Sequence, residues 1–200
     1  MDFIGVSDVH FWKVTQDDKD QYVPGEVKVL SRTGEIQQTT EQAQNVVYYS
    51  NIAAYAVNSK GATTITAVLE ALGLDVLADL HGTTLDSATG ALIDDGEAKS
   101  LNFGISFRAD YVGDEGARYY SFPKVTISIP DENTKTKDAG TDTLNQTVTI
   151  TAVSTVHKFE STGKTCKIVM ADTPNSKELL DFSKWFDQAI TPDVLATLKA

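Results

Sequence analysis

The 200-residue chain reads as mainly β: two packed sheets forming a β-sandwich or partly closed barrel, one short flanking α-helix, and a C-terminal helical segment. Three observations predict this. Apolar and polar residues alternate with a period of two in run after run between Ile4 and Ala171, in β-branched and threonine-rich company. Between those runs the stretch Leu74 to His81 changes to helical spacing. The strand content also exceeds what one flat sheet can hold, so the strands must pack in layers or curl.

Ile4 to Thr15 is the first strand, with Val6, Asp8, His10 and Trp12 on one face and Ser7, Val9, Phe11 and Lys13 on the other. Both faces carry apolar groups, so it is expected to be covered on each side for part of its length. Asp17 to Asp20 makes a polar turn, Pro24-Gly25 is a second turn, and Val27 to Leu30 resumes as strand. Glu35 to Glu41 fits a polar strand with Ile36 pointing inward. Gln42 to Ser59 carries no charge and holds Val46, Val47, Tyr48, Tyr49, Ile52 and Tyr55 among Asn, Gln and Ala. As a plain surface loop it would expose an apolar patch, so it is either core or an interface loop.

Gly61 to Glu70 alternates, with Ile65, Ala67 and Leu69 on one face. It feeds directly into the helix, where Leu74, Leu77 and Leu80 form the face expected to pack on the sheet. Asp75 in the first turn and His81 in the last suit the helix dipole, and Gly82 suits the stop. Thr83 to Gly90 is a loop, Ala91 to Ile93 a short edge strand, and Asp94 to Glu97 a solvated turn without calcium-loop spacing. Leu101 to Ala109 is the clearest strand, with Leu101, Phe103, Ile105, Phe107 and Ala109 facing the core. Gly113 to Gly116 turns the chain into Arg118 to Phe122, followed by Lys124 to Ile129. Asp131 to Asp142 reads as a flexible polar loop, Thr143 to Val156 as a long strand and Lys164 to Ala171 as another. Leu179, Phe182, Phe186 and Ile190 then form a helical stripe widened by Trp185, with Asn175 and Glu178 spaced as a capping box. Thr191-Pro192 starts one more turn. The expected division is a β domain over 1–172 and a C-terminal helical extension over 173–200.

Composition narrows the function. With 17 basic and 28 acidic residues the net charge is −11, which argues against a surface that grips phosphate. A single cysteine, Cys166, excludes an internal disulfide. Met1 to Trp12 has no basic region followed by an apolar core, so no signal peptide is read, and no run approaches a membrane span. His10, His81 and His157 belong to no G-x-S-x-G, H-E-x-x-H or other catalytic motif, and no phosphate-binding glycine loop occurs. No catalytic, cofactor-binding or metal site is therefore expected, and the chain reads as a structural or binding protein rather than an enzyme.

Four blocks, in order, resemble one family. They are the opening I-G-V-x-D with Thr15 and Asp17, and the helix E-x-L-G-L-D-V-L-A-x-L-x-G from Glu70 to Gly82. The third is G-I-S-F-R at Gly104 to Arg108 with E-G-A-R-Y-Y-S-F and P-K-V up to Val125. The last is T-K-D at Thr136 to Asp138 followed by T-L-N-Q-T-V-T-I-T-A at Thr143 to Ala152. Leu144 there replaces an aromatic and Thr147-Val148 a Thr-Pro. Over residues 4 to 156 the chain resembles the major tail protein, or tail tube protein, of phages with long non-contractile tails.

The resemblance implies a virion tail subunit made in the host cytoplasm, without cofactor. It implies hexameric rings whose inner strands join into one barrel, and which stack into a tube. Genomic DNA would pass through the lumen without specific binding. Other partners would be the tape measure, tail terminator and distal tail proteins, with no membrane contact. A long loop in the Gln42 to Ser59 region would help stack rings, which makes Val46, Val47, Tyr48, Tyr49 and Tyr55 the candidate self-assembly residues. Acidic side chains would line the bore and repel phosphate. The alternatives are a β-sandwich adhesion module for a surface glycan or protein, and the tube protein of a contractile injection system.

Overall fold

Strand pairing, rather than helix packing, builds almost all of this molecule. A computed structural model describes residues 2–49, 52–94, 96–97, 99–130 and 145–200, with the backbone alone at 47–49, 52–55, 57 and 114. The loop expected over Asp131 to Asp142 lies outside the described residues.

Nine strands are present among the described residues, all in one antiparallel sheet. They are β1 (Phe3–Asp17), β2 (Tyr22–Pro24), β3 (Lys28–Ser31), β4 (Thr33–Tyr49), β5 (Ile52–Leu69), β6 (Asn102–Tyr111), β7 (Ala117–Ile127), β8 (Gln146–Ala152) and β9 (Val169–Asp172). Their order is β2-β1-β6-β7-β8-β5-β4, with β3 also beside β1 and β9 also beside β7. The sheet does not close. It folds on itself in a β-sandwich-like arrangement, as the central apolar cluster demonstrates. Val9 and Phe11 of β1 and Phe103, Ile105 and Phe107 of β6 meet Ile65, Ala67 and Leu69 of β5 and Val148, Ile150 and Ala152 of β8.

β7 belongs to both layers. The expected strands Arg118 to Phe122 and Lys124 to Ile129 are one element running through Pro123. Its first half pairs with β6 and β9, and its second half with β8. Pro123 donates no hydrogen bond, and it lies in a bulge of β7 itself, between Phe122 and Val125, where the ladder does not require one.

The expected two-sided cover of β1 is observed. Trp12 and Val14 leave the central core and pack with Ala189, on the opposite face of the strand. A bulge between Ser7 and His10, with Asp8 at φ 56°, resets the register against β6.

The helix α1 (Leu74–His81) ends at Gly82, whose φ of 68° lets its N–H reach back to the last turn. Leu77 and Leu80 enter the central cluster with Val76 and with Leu72, which precedes the helix. Leu74 does not: it is 53% exposed. The helix has only two turns, and Leu72, tied by its N–H to Gln146 Oε1 at 2.9 Å, already fills the space at its start.

Two further expectations change. Ala91 to Ile93 forms only an isolated bridge, Leu85 with Leu92. The long helix expected after Pro174 is replaced by α2 (Thr173–Ser176), a 3-10 turn (Phe182–Lys184) and α3 (Pro192–Leu195). The first cap is Asp172, whose carboxylate accepts from the Asn175 N–H, not the Asn175–Glu178 box. Trp185 and Ile190 are fully buried while Leu179 is 65% exposed, so these residues bind separate points on the sheet instead of one helical stripe. Trp185, Ile190 and Leu198 pack with Ala117, Tyr119, Phe159, Cys166 and Val169. The C-terminal segment thus covers the outer face of the β1–β6–β7 layer of its own chain.

Candidate assembly surfaces

Two surfaces remain after the core and the C-terminal cover are accounted for. The first is the outer face of the other layer. On β5 and β8 the side chains between Ile65, Ala67, Val148 and Ile150 are almost all threonine. Cross-strand pairing aligns them into rows. Gln37, Thr66 and Thr149 are successive partners, and Ser128 continues the row through its N–H to the Thr149 carbonyl at 2.8 Å. The next row is Thr39, Thr64, Thr151 and Thr126. All eight are exposed or half-buried, and none is charged.

The second surface is the far end of the β4–β5 hairpin. β8 pairs with β5 only over Thr63 to Leu69, so beyond Gln42 and Lys60 the two strands pair, among the described residues, with each other alone. At roughly 3.3 Å per residue the stretch from Gln42 to Tyr49 reaches about 25 Å. Gln42, Ala43, Gln44, Asn45, Val46, Ala56, Asn58 and Ser59 are all exposed. The region expected to be core or an interface loop is therefore a two-stranded arm, and its described part is not core. Among the assembly candidates Val46 is exposed on this arm at 38%. Val47, Tyr48, Tyr49 and Tyr55 lie in its strands, with Val47 paired to Tyr55, and their side chains fall outside the described residues. A two-stranded ribbon with neither face buried has little stability of its own in water.

Several charged residues elsewhere are paired. Asp17, nearly buried, holds Lys124 at 2.6 Å and accepts from the backbone N–H groups of Val156 and His157 at 3.0 Å. Burial works against its charge. The hydrogen bond from Lys124 and those two N–H groups outweigh it and hold the carboxyl below its ordinary value. Asp193 is held low in the same way, its burial overcome by Ser161 and the N–H of Glu160. Arg108 lies between Asp8 at 3.4 Å and Asp110 at 3.0 Å, and Lys28 meets Asp79 of α1 at 2.6 Å.

A hollow of about 400 Å³ opens between β1 and β4, lined by Phe3, Val6, Ile36, Phe107 and Tyr120. Its wall brings no nucleophile and base together, Glu35 being its one carboxylate. Among the described residues no group of His, Cys, Asp and Glu is placed to hold a metal ion, and no helix is long and apolar enough to cross a membrane. Burial pushes the Cys166 thiol up to about 11, which suits packing rather than attack.

The family model described as phage tail tube protein matches residues 31–189, most of the chain. The chain belongs to the phage tail tube protein family. Comparison with curated proteins gives no match. The matched region begins after the I-G-V-x-D opening and continues past Ala152, so it takes in most of the C-terminal cover. As a tail tube protein the chain has a structural role, is a component of the virion, and assembles with itself and with other tail proteins. Sequence reasoning singled out Gln42 to Ser59 by its uncharged, aromatic-containing composition but read it as core or a loop and not as paired strands. It missed the threonine rows, because cross-strand neighbours cannot be read from one strand.

Proposed function

We propose that this protein forms hexameric rings that stack into a tail tube and that the phage genome passes through the bore. The β4–β5 arm carries the reading: an extended ribbon with exposed faces gains stability only when another surface covers it. A neighbouring ring is that surface, with Val46, Val47, Tyr48, Tyr49 and Tyr55 making the contact. The outer edge of β4 supports the ring itself. It pairs with no strand among the described residues, and closure of a ring gives such an edge a partner. Stacking end to end leaves one ring face free at each end of the tube. The tail terminator, the distal tail protein and the tape measure protein are the partners for the ends and the bore. Electron microscopy of the concentrated protein beside size exclusion tests this. Tubes or rings with a central hole and sixfold averages are expected, and a protein that stays monomeric with its natural tail partners present would overturn it.

A further inference from the structure

Resting on that tube reading for its consequence, we infer that Lys167 is a positioning residue for assembly: its hold on the Gly61 carbonyl sets the direction in which the β4–β5 arm leaves the body.

The arm begins where the sheet stops guiding it. Towards the arm, Thr63 is the last residue of β5 to face β8, through Ala152, and Val153 turns away with its N–H on the Lys124 carbonyl at 3.1 Å. The register of the hairpin shifts at the same place. Thr40 faces Thr63 and Gln42 faces Lys60, so Gly61 and Ala62 of β5 stand opposite Glu41 alone. An extra residue in one strand bends a ribbon and increases its twist. Gly61 allows the close approach, since a Cβ there would lie 3.0 Å from the Glu41 Cβ. With no side chain of its own to pack, Gly61 leaves the angle at this bulge weakly fixed by the hairpin itself.

Among the described residues, one side-chain hydrogen bond joins the body to the bulge: Lys167 Nζ donates to the Gly61 carbonyl at 2.9 Å. The base of Lys167 is held on both sides. Cys166 donates its N–H to the Thr155 hydroxyl at 3.0 Å and accepts at its carbonyl from the Thr155 N–H at 2.9 Å. Val169 pairs with Ser121 of β7, and Cys166 and Val169 are both buried in the cluster that holds Trp185 and Leu198 of the C-terminal cover. Beyond the end of β8, the ammonium thus replaces the neighbour that β5 has lost, and it does so from a backbone fixed under that cover. One such hydrogen bond adds only modestly to the stability of the subunit. Its leverage is geometric. Over the arm's length of about 25 Å, a swing of roughly 20° at the bulge carries the far end by about 9 Å, nearly two strand spacings. An arm released from Lys167 spreads over such directions and meets its site on the next ring less often.

The test places nitroxide labels at Gln44→Cys on the arm and Glu178→Cys on the C-terminal cover, both exposed, with the native Cys166 buried. Distances between them are read by pulsed electron paramagnetic resonance in dilute free subunits. With Lys167 present, one narrow distribution is expected. Lys167→Met should broaden it, Lys167→Arg should keep it narrow, and the urea midpoint should be the same in all three. An unchanged distribution in Lys167→Met would overturn the inference. So would a broadened one that comes with an early midpoint, because Lys167 would then serve stability and not direction. Tubes grown from unlabelled protein give the second reading. Lys167→Met should elongate several-fold more slowly, and Lys167→Arg at the unmodified rate. Growth of Lys167→Met tubes at the unmodified rate would overturn the link to assembly. Absence of tubes from the unmodified protein would overturn the tube reading, while the distances still decide whether Lys167 directs the arm.

Discussion

The indole of Trp12 lies directly on Gly104, its cross-strand partner, so closely that a Cβ at position 104 would overlap the ring. Gly104 to Ala is therefore an overpacking substitution in a fully buried site. A loss of about 1–3 kcal/mol or more is expected, read as an earlier midpoint in urea. An unchanged midpoint would mean that Trp12 moves aside at little cost.

Trp12 is also held by a short relay. Its Nε1–H donates to the Tyr22 hydroxyl at 3.0 Å, which donates to the Pro123 carbonyl at 2.6 Å. Tyr22→Phe leaves a donor and an acceptor without partners, at about 1–3 kcal/mol. Thermal unfolding of Tyr22→Phe, Trp12→Phe and the double variant should show coupling between them, and simple additivity would contradict the relay.

The acid limb of stability should depend on Asp17. Its folded pKa lies below the ordinary 3.8, so its contribution is present above that value and is lost as pH falls through the folded pKa. Unfolding followed from pH 6 downward should steepen below about pH 4. Asp17→Asn should be less stable at neutral pH and flatter in this window. A variant that keeps the full acid slope would assign it to other carboxylates, Asp193 among them.

Cys166 reports on the C-terminal cover. It is buried in the same cluster as Trp185, with its thiol raised to about 11, so native protein should react very slowly with iodoacetamide. Trp185→Ala should speed labelling well before global unfolding. Labelling at the native rate would show that this cover is held without the indole.

Charge on the arm separates folding from assembly. Tyr48→Asp/Tyr49→Asp should leave the subunit's circular dichroism and unfolding midpoint near those of the unmodified protein, while tubes no longer form. Normal tubes from this variant would remove the arm from the stacking contact.

The parts that were legible in the sequence are those whose signal is local and one-sided. Phe103, Ile105 and Phe107 alternate because one face of β6 meets the core, and Leu77 and Leu80 repeat because α1 has one covered side, although Leu74, expected beside them, is exposed. The arm showed no period because the residues described on its two faces are all exposed in the subunit. Leu179, Phe182, Phe186 and Ile190 imitate a helical stripe, yet the sheet receives Trp185 and Ile190 at separate points. Pro123 looked like a break between strands because it sits in a bulge of β7, where the strand takes one residue more than β6 and then resumes. The threonine rows are likewise a property of three pairings at once, each invisible until the register is known.

β7 gives the subunit a mechanical character. Its first half is stitched to β6 and β9 and its second half to β8, so one continuous backbone crosses from one layer of the folded sheet to the other. Sliding one wall past the other would have to tear hydrogen bonds along that strand instead of shearing an oily interface. A bend or twist imposed on the assembled tail would then be taken up between subunits, at the joints, with each subunit moving as a stiff tile.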